Sequence, residues 1–255
     1  MRQTVDRQEL VRLVKDVYAK VATEPRGDYH FEVGRAVAGK LGYSAELLDQ
    51  VPSEAVDSFA GVGYHFDLAE LQPGESVLDL GSGSGMDAFI AATQVGDTGN
   101  VIGVDITPEQ LENANRLRSE RFQNVGFRHA EIGALPFKDG SFDVAISNGV
   151  INLVPDKAKA FEEISRVLKK GGRMAISDIV TEKQLTEGIV CDATLWASCI
   201  GGAIQQDNYR GAIEAAGMRL VRTRDNSEYE FLSESAQGAS EEFGVKSVSL
   251  LAEKV

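Results

Sequence analysis

Cysteine is nearly absent from this chain: its 255 residues hold two, Cys191 and Cys199. Two cysteines make no disulfide framework. Eight positions along one regular helix is about 12 Å of rise, too far for a bridge between them. No Cys-x-x-Cys pair is present, so no zinc site is expected. Histidine is also scarce, with three residues, and tryptophan appears once. Basic residues are outnumbered 26 to 39, giving a net charge of −13. Such a field repels phosphate backbones and argues against a nucleic-acid partner. No apolar run approaches the roughly 18 residues of a membrane span. The opening "MRQTVDRQELVRLVKD" is charged and helical, without a signal-peptide core, so the sequence predicts a cytoplasmic protein with no membrane partner. Nothing in the sequence fixes the oligomeric state.

What is present is a core and an alternation. Hydrophobic residues make up 43% of the chain, enough for one large α/β domain. Helical spacing of Leu10, Leu13, Val14, Val17 and Val21 predicts a first helix from about Asp6 to Ala22. Helical patches follow at Phe31–Leu41 and Ala45–Val51. These suggest a helical cap or lid over residues 1–65. From Ser76, strands and helices alternate strictly. "SVLDLG", "NVIGVDI", "VGFRHAEI", "FDVAISNGVINL" and "RMAISDIV" read as strands one to five. "MDAFIAATQVG" is a helix closed by Gly96. "TPEQLENANRLRSERF" is a helix with Thr107 as N-cap. "DKAKAFEEISRVLKKGG" is a helix ended by Gly171-Gly172, with lysines in its last turn. A helical insertion over about 179–204 precedes "QDNYRGAIEAAG" and the closing strands "MRLVRTRD" and "KSVSLLAEK". The expected fold is a Rossmann-like α/β domain over residues 66–255, with a seven-stranded, mainly parallel sheet and helices on both faces.

The strongest chemical signal is "VLDLGSGSGMD". Gly81, Gly83 and Gly85 follow a buried strand and open a helix, where glycine permits close approach of a ligand. A dinucleotide fingerprint would place its third glycine at position 86, which is Met86. A ligand without a pyrophosphate, S-adenosylmethionine, suits the tighter loop, with Asp79 and Ser82 beside the glycines. Asp105, ending the second strand with Ile106 next to it, can accept both ribose hydroxyls. Glu131, ending the third, can meet the exocyclic amine of adenine, with Ile132 as an apolar neighbour. Three such positions at successive strand ends form one crevice.

In order and spacing, "VLDLGSGSG", "VIGVDITPEQL", "LPFKDGSFDVAISN" and "FEEISRVLKKGGRMAISD" resemble the class I S-adenosylmethionine-dependent methyltransferases. The resemblance implies that Gly81, Gly83 and Gly85 line the methionine part, that Asp105 holds the ribose and Glu131 the adenine, and that Asn148 flanks the sulfonium. Methyl transfer from a sulfonium is an in-line displacement with an activated leaving group, so the protein mainly aligns and desolvates. An Asn/Asp-Pro-Pro-aromatic signature is missing after the fourth strand, where Ser147-Asn148-Gly149-Val150 stands. No cysteine nucleophile lies there either. Both absences argue against base-modifying enzymes.

Four further segments, "LVKDVYAKVA", "LGYSAELLDQVP", "ISNGVINLVPDKAKAF" and "LWASCIGGAI", resemble the arsenite methyltransferases. That family holds As(III) by three cysteine thiolates, soft ligands for a soft metalloid. Only Cys199 matches one of them. Val62 and Gly149 stand where the other two are found, and Cys191 matches no ligand position. The resemblance implies that Tyr18 lies in a first helix over the cofactor. It marks Val62, Tyr64, His65, Gly149, Trp196 and Cys199 as candidates for the acceptor pocket.

Each candidate has a plainer competing role. Cys199 is a candidate catalytic residue or, more simply, a small packing residue. His65 is a candidate general base or a loop histidine capping backbone groups. Tyr18, Tyr64 and Trp196 serve a pocket or a core. Asp178 is a cap or a base, and His30 and His129 have no evident partners. The leading expectation is methyl transfer from S-adenosylmethionine to a small molecule, with an organic thiol or another soft or apolar nucleophile as acceptor. The alternatives are a metalloid methyltransferase with a reduced cysteine set, a non-catalytic S-adenosylmethionine-binding module and, more distantly, a nicotinamide dehydrogenase.

Overall fold

The computed structural model describes residues 7–190, residue 196 and residues 200–255. Seven strands form one sheet in the order β3-β2-β1-β4-β5-β7-β6. The strands are β1 Ser76–Leu80, β2 Asn100–Asp105, β3 Val125–His129, β4 Phe142–Asn148, β5 Leu168–Val180, β6 Met218–Asp225 and β7 Lys246–Lys254. β1 to β5 run parallel, and β7 runs antiparallel between β5 and β6. The chain winds outward from β1 to β3, then returns to start β4 beside β1. The gap between the C-terminal ends of β1 and β4 is therefore the topological switch point, where α/β sheets open a crevice.

Period-two patterning decides which face each strand residue covers. Val77, Val144, Ile146 and Ala175 pack on one face with Phe89 and Ile90 of α6 (Met86–Val95). Leu78, Ala145, Met174 and Ile176 pack on the other with Phe161 and Ile164 of α8 (Lys157–Val167). Val37, Phe59 and Phe66, from the N-terminal segment, share the first of these cores. That segment carries α1 (Arg7–Thr23), α2 (Arg35–Lys40), α3 (Ala45–Leu48), α4 (Ser53–Asp57) and α5 (Phe66–Ala69). α1 is tied to α7 (Pro108–Leu117) by Gln110 Nε2 donating to the Tyr18 carbonyl at 3.0 Å and Asn113 Nδ2 to that of Ala22 at 2.8 Å.

Several boundaries differ from the sequence reading. α7 stops at Leu117, where Arg118 is extended, and a separate short turn covers Glu120–Phe122. Thr107 stands at its N-cap position but its side chain makes no capping bond. α8 ends at Val167 rather than at the glycines, because Leu168 pairs with Phe142 of β4, so Lys169 and Lys170 belong to β5. Asp156 caps α8 by accepting from the Lys159 amide at 3.0 Å. The short helices α4 and α5 and the helix Glu234–Phe243, capped by Ser233, have no counterpart in the sequence reading. Among the described residues no helix is long and apolar enough to cross a membrane.

Candidate active site

The switch point opens into a crevice of about 1330 Å3, its mouth included. Its walls come from the loop after β1, the ends of β2 and β4, the start of α6, the inner face of α1 and the 58–61 loop. Of the ten positions expected to hold the cofactor, all but Gly85 line it. Gly85 has a different reason to be glycine: at φ +96° a Cβ would meet the Phe127 ring at 2.6 Å. At Gly81, φ +71°, a Cβ would fall 2.4 Å from Val150 Cγ2, so the loop after β1 lies directly on the segment after β4.

Asp105 anchors this loop. Its Oδ2 accepts from the Gly83 amide at 3.0 Å, and its Oδ1 from the Thr107 amide at 2.8 Å. The Thr107 hydroxyl and the Ile106 amide also bond this carboxylate, which lines the crevice. Ser84 Oγ donates to Gln110 Oε1 at 2.6 Å, linking the loop to α7 and through it to α1. Glu131 sits at the mouth, half exposed, and pairs with Arg7 of α1 at 3.4 Å.

The inner end is acidic. Asp79 is 2% exposed, and its Oδ2 has no hydrogen-bond partner among the described residues. Burial, with Asp87 and Asp105 nearby, holds its carboxyl well above the usual carboxylate range. Asp87, in the first turn of α6, accepts from Tyr43 Oη at 2.8 Å and from Asn148 Nδ2 at 3.3 Å. Burial pushes Asp87 up to about 6 against the pull of those two bonds. The Asn148 amide is fully engaged. Its Oδ1 accepts from the Val62 amide at 2.8 Å and the Gly63 amide at 3.3 Å. Its Nδ2 also donates to the Gly63 carbonyl at 2.9 Å and to Tyr43 Oη at 3.0 Å. Asn148 thus clamps the Val62-Gly63 loop to the end of β4, a structural task beyond flanking a sulfonium.

Five carboxylates, of Asp79, Asp87, Asp105, Glu131 and Asp156, line the crevice against two cations, Arg7 and Lys159. An orphaned buried carboxylate oxygen and this excess of negative charge fit a cationic ligand. S-adenosylmethionine, with a sulfonium and an ammonium, is such a ligand.

An apolar wall is supplied by Val11 and Val14 of α1, Phe59, Gly61, Leu153 and Val154, with Gly61 and Phe59 lying against Asn148 and Tyr43. Of the expected acceptor-pocket residues, Tyr18 and Gly149 line the crevice. Val62 is buried behind it, and Tyr64 packs edge-on against Tyr43 with centroids 4.9 Å apart. His65 is wholly buried away from the crevice, stacked on Phe66 at 4.7 Å, and burial lowers it to about 3. A neutral, enclosed imidazole there is not placed to serve as a general base. Trp196 is buried in the core cluster with Leu10 and Leu153. Cys191 and Cys199 lie outside the described residues. Asp87, Val11, Val14 and Phe59 are not among the site residues expected from the sequence, where Val14 enters only as part of the apolar face of the first helix. For Asp87 the one local sign is an acid in the first turn after the glycine loop.

Comparison with known proteins follows the same line. Residues 71–217 match a family described as a methyltransferase domain. The arsenite methyltransferase of Halobacterium salinarum is 37% identical over 246 residues, covering 90% of this chain and 62% of that protein. That of Aquipseudomonas alcaligenes is 42% identical over 171 residues, covering 64% and 49%. The crystal structure of an arsenic(III) S-adenosylmethionine methyltransferase from Chlamydomonas reinhardtii superposes with a TM-score of 0.66 at 31% identity, covering 86% of this chain and 73% of that one. The chain belongs to the S-adenosylmethionine-dependent methyltransferases. Within them it is close to the arsenite methyltransferases, and it spans 62% and 49% of the length of these two curated relatives.

Proposed function

We propose that this protein transfers the methyl group of S-adenosylmethionine to a small, soft or apolar acceptor, with an organic thiol as the leading candidate. The observation that carries the acceptor class is the thiol-free contact of Val62 with Gly149 beside an apolar wall. Bound S-adenosylmethionine supplies an electrophilic methyl on a positively charged sulfur. The chain's own residues position and shield. Asp105 is placed to accept from the ribose, and Glu131 and Ile132 lie at the adenine end. Asp87, above about pH 6, offers negative charge to the cationic amino-acid end, and Asp79 offers an unpaired carboxyl oxygen. Val11, Val14, Phe59 and Leu153 exclude water from the acceptor, which strengthens the field of the carboxylates. Among the described residues no histidine lines the crevice. That favours a nucleophile that reacts without an imidazole base, as a thiolate does.

A second reading, methylation of arsenite with a reduced cysteine set, is favoured by the 37% and 42% identity to arsenite methyltransferases. The test is a labelled-methyl assay against small thiols, arsenite, and arsenite with glutathione. Labelled thioether from a thiol alone supports the first reading. Arsenite-dependent product that disappears in Cys199→Ser supports the second. Calorimetric binding of S-adenosylmethionine without transfer to any acceptor would leave a binding module and overturn both.

A further inference from the structure

A buried cation stands behind the apolar wall. Lys157, the first residue of α8, is 7% exposed. Its Nζ donates to the Asn152 carbonyl at 3.1 Å and to the Val154 carbonyl at 3.0 Å. Nζ also lies 4.8 Å from the ring centroid of Trp196. A desolvated ammonium at that distance is held by the indole quadrupole. Trp196 is in turn fixed by Nε1 donating to the Val190 carbonyl at 2.6 Å. A second contact joins the same elements. A Cβ on Gly202 would fall 1.9 Å from the Asn152 carbonyl oxygen, so the end of the insertion lies directly on the wall.

The wall in question is Leu153–Pro155, which lines the crevice. Its turn is otherwise held by local bonds, Leu153 N–H to the Val150 carbonyl at 2.9 Å and Val154 N–H to that of Ile151 at 3.0 Å. We propose that Lys157 is a positioning residue, whose ammonium ties the Asn152–Val154 segment to Trp196 of the insertion and thereby fixes the shape of the crevice wall, which the proposed function assigns to the acceptor.

The charged and titratable groups facing Lys157 are few. From β5, Asp178 is 1% exposed and acts on the ammonium through space. From the helix Gln206–Ala215, Tyr209 donates to Asp178 Oδ2 at 2.7 Å. Burial lowers Lys157 to about 8, against the pull of Asp178. Burial raises Asp178 to about 6, against Tyr209, neighbouring amides and Lys157. Both groups are charged between about pH 6 and 8, and above that the ammonium loses its proton first.

The assignment of this wall to the acceptor rests on the proposed function; the Lys157 contact can be tested without an acceptor. Trp196 is the sole tryptophan. Full-length protein labelled with 5-fluorotryptophan therefore gives one fluorine resonance. It is expected to move with pH with a midpoint near 8 in the parent, and to stay flat from pH 6.5 to 9.5 in Lys157→Arg, whose guanidinium keeps its charge. Hydrogen exchange of the Leu153 and Val154 amides should quicken at least tenfold in Lys157→Met and return toward the parent rate in Lys157→Arg. The dissociation constant for S-adenosylhomocysteine should change less than threefold in either variant. A titration near pH 8 that persists in Lys157→Arg would overturn the proposal, as would unchanged wall exchange in a folded Lys157→Met. If Lys157→Met does not fold, the Lys157→Arg titration decides alone. An acceptor panel without methyl transfer would instead refute the proposed function and leave the Lys157 result standing.

Discussion

Val62 and Gly149 lie against each other: a Cβ on Gly149 would stand 3.2 Å from Val62 Cγ1. They are 87 positions apart, and the resemblance to the arsenite methyltransferases sets both at positions where a cysteine is expected. Their contact gives the two positions one location, beside Asn148. The double variant Val62→Cys/Gly149→Cys is predicted to retain trivalent arsenic through gel filtration at close to one equivalent, with either single variant retaining far less. Gly149→Cys alone should cost about 1 kcal/mol, because φ is +72° there and a side chain disfavours the left-handed region. Arsenic content by elemental analysis and urea midpoints check both statements. Equal retention by the parent protein would favour arsenite as its natural acceptor.

Asn148 is the joint between cofactor crevice and cap. Replacing it by alanine strands the Val62 amide and takes a donor from Asp87. Leaving buried polar groups unmet costs about 1–3 kcal/mol. Asn148→Ala is predicted to lose about 2 kcal/mol of stability and at least tenfold in S-adenosylmethionine affinity, read by denaturation and calorimetry. A loss of affinity with no loss of stability would mean that the amide serves the ligand alone.

Asp87 makes cofactor affinity depend on pH. Its carboxyl sits at about 6 because burial outweighs the bonds from Tyr43 and Asn148. Above that value the carboxylate attracts a cationic ligand, and below it the proton cancels the attraction. The dissociation constant of S-adenosylmethionine should be steady above pH 7 and rise by up to about tenfold per pH unit below 6. Asp87→Asn should bind more weakly at pH 7.5 and show a flatter profile. The stability sign is opposite: the folded value lies above the unfolded one, so the cost of the buried charge is relieved as pH falls from about 6 to 4. Calorimetry from pH 5 to 8 reads the binding effect.

The parts of this molecule legible in the sequence are those with a local signature. The strands around Leu78, Val104 and Ile146 show in their apolar runs, and the loop of Gly81 and Gly83 in its spacing. What depends on distant partners was not legible. The end of α8 is set by Leu168 pairing with Phe142. Asp87 acquires its character from Tyr43 and Asn148, 44 and 61 positions away. Among the described side chains of the helix Glu234–Phe243, Ala236, Ala239 and Phe243 are buried, too sparse a stripe to read as amphipathic. Tyr64 and His65 sit one residue apart at the end of the same loop, yet Tyr64 is partly exposed and His65 is wholly enclosed. No pattern in "GVGYHFD" separates them.

His65 itself yields the sharpest stability prediction. Neither ring nitrogen has a hydrogen-bond partner among the described residues, and the side chain is wholly buried. Burial lowers it to about 3, well below the unfolded value near 6.5. Below pH 6.5 the unfolded chain takes up a proton that the folded chain refuses, so stability falls by about 1.4 kcal/mol per pH unit until about pH 3. His65→Phe keeps an aromatic ring on Phe66 and removes two unmet polar atoms. It should stabilise the fold by about 1 kcal/mol at pH 7.5. At pH 5 the gain should reach about 3 kcal/mol, since about 2 kcal/mol of proton linkage is also removed. Urea midpoints at the two pH values measure this, with methyl transfer followed in parallel. A folded His65→Phe that has lost methyl transfer, with no gain in stability, would return His65 to the role of general base.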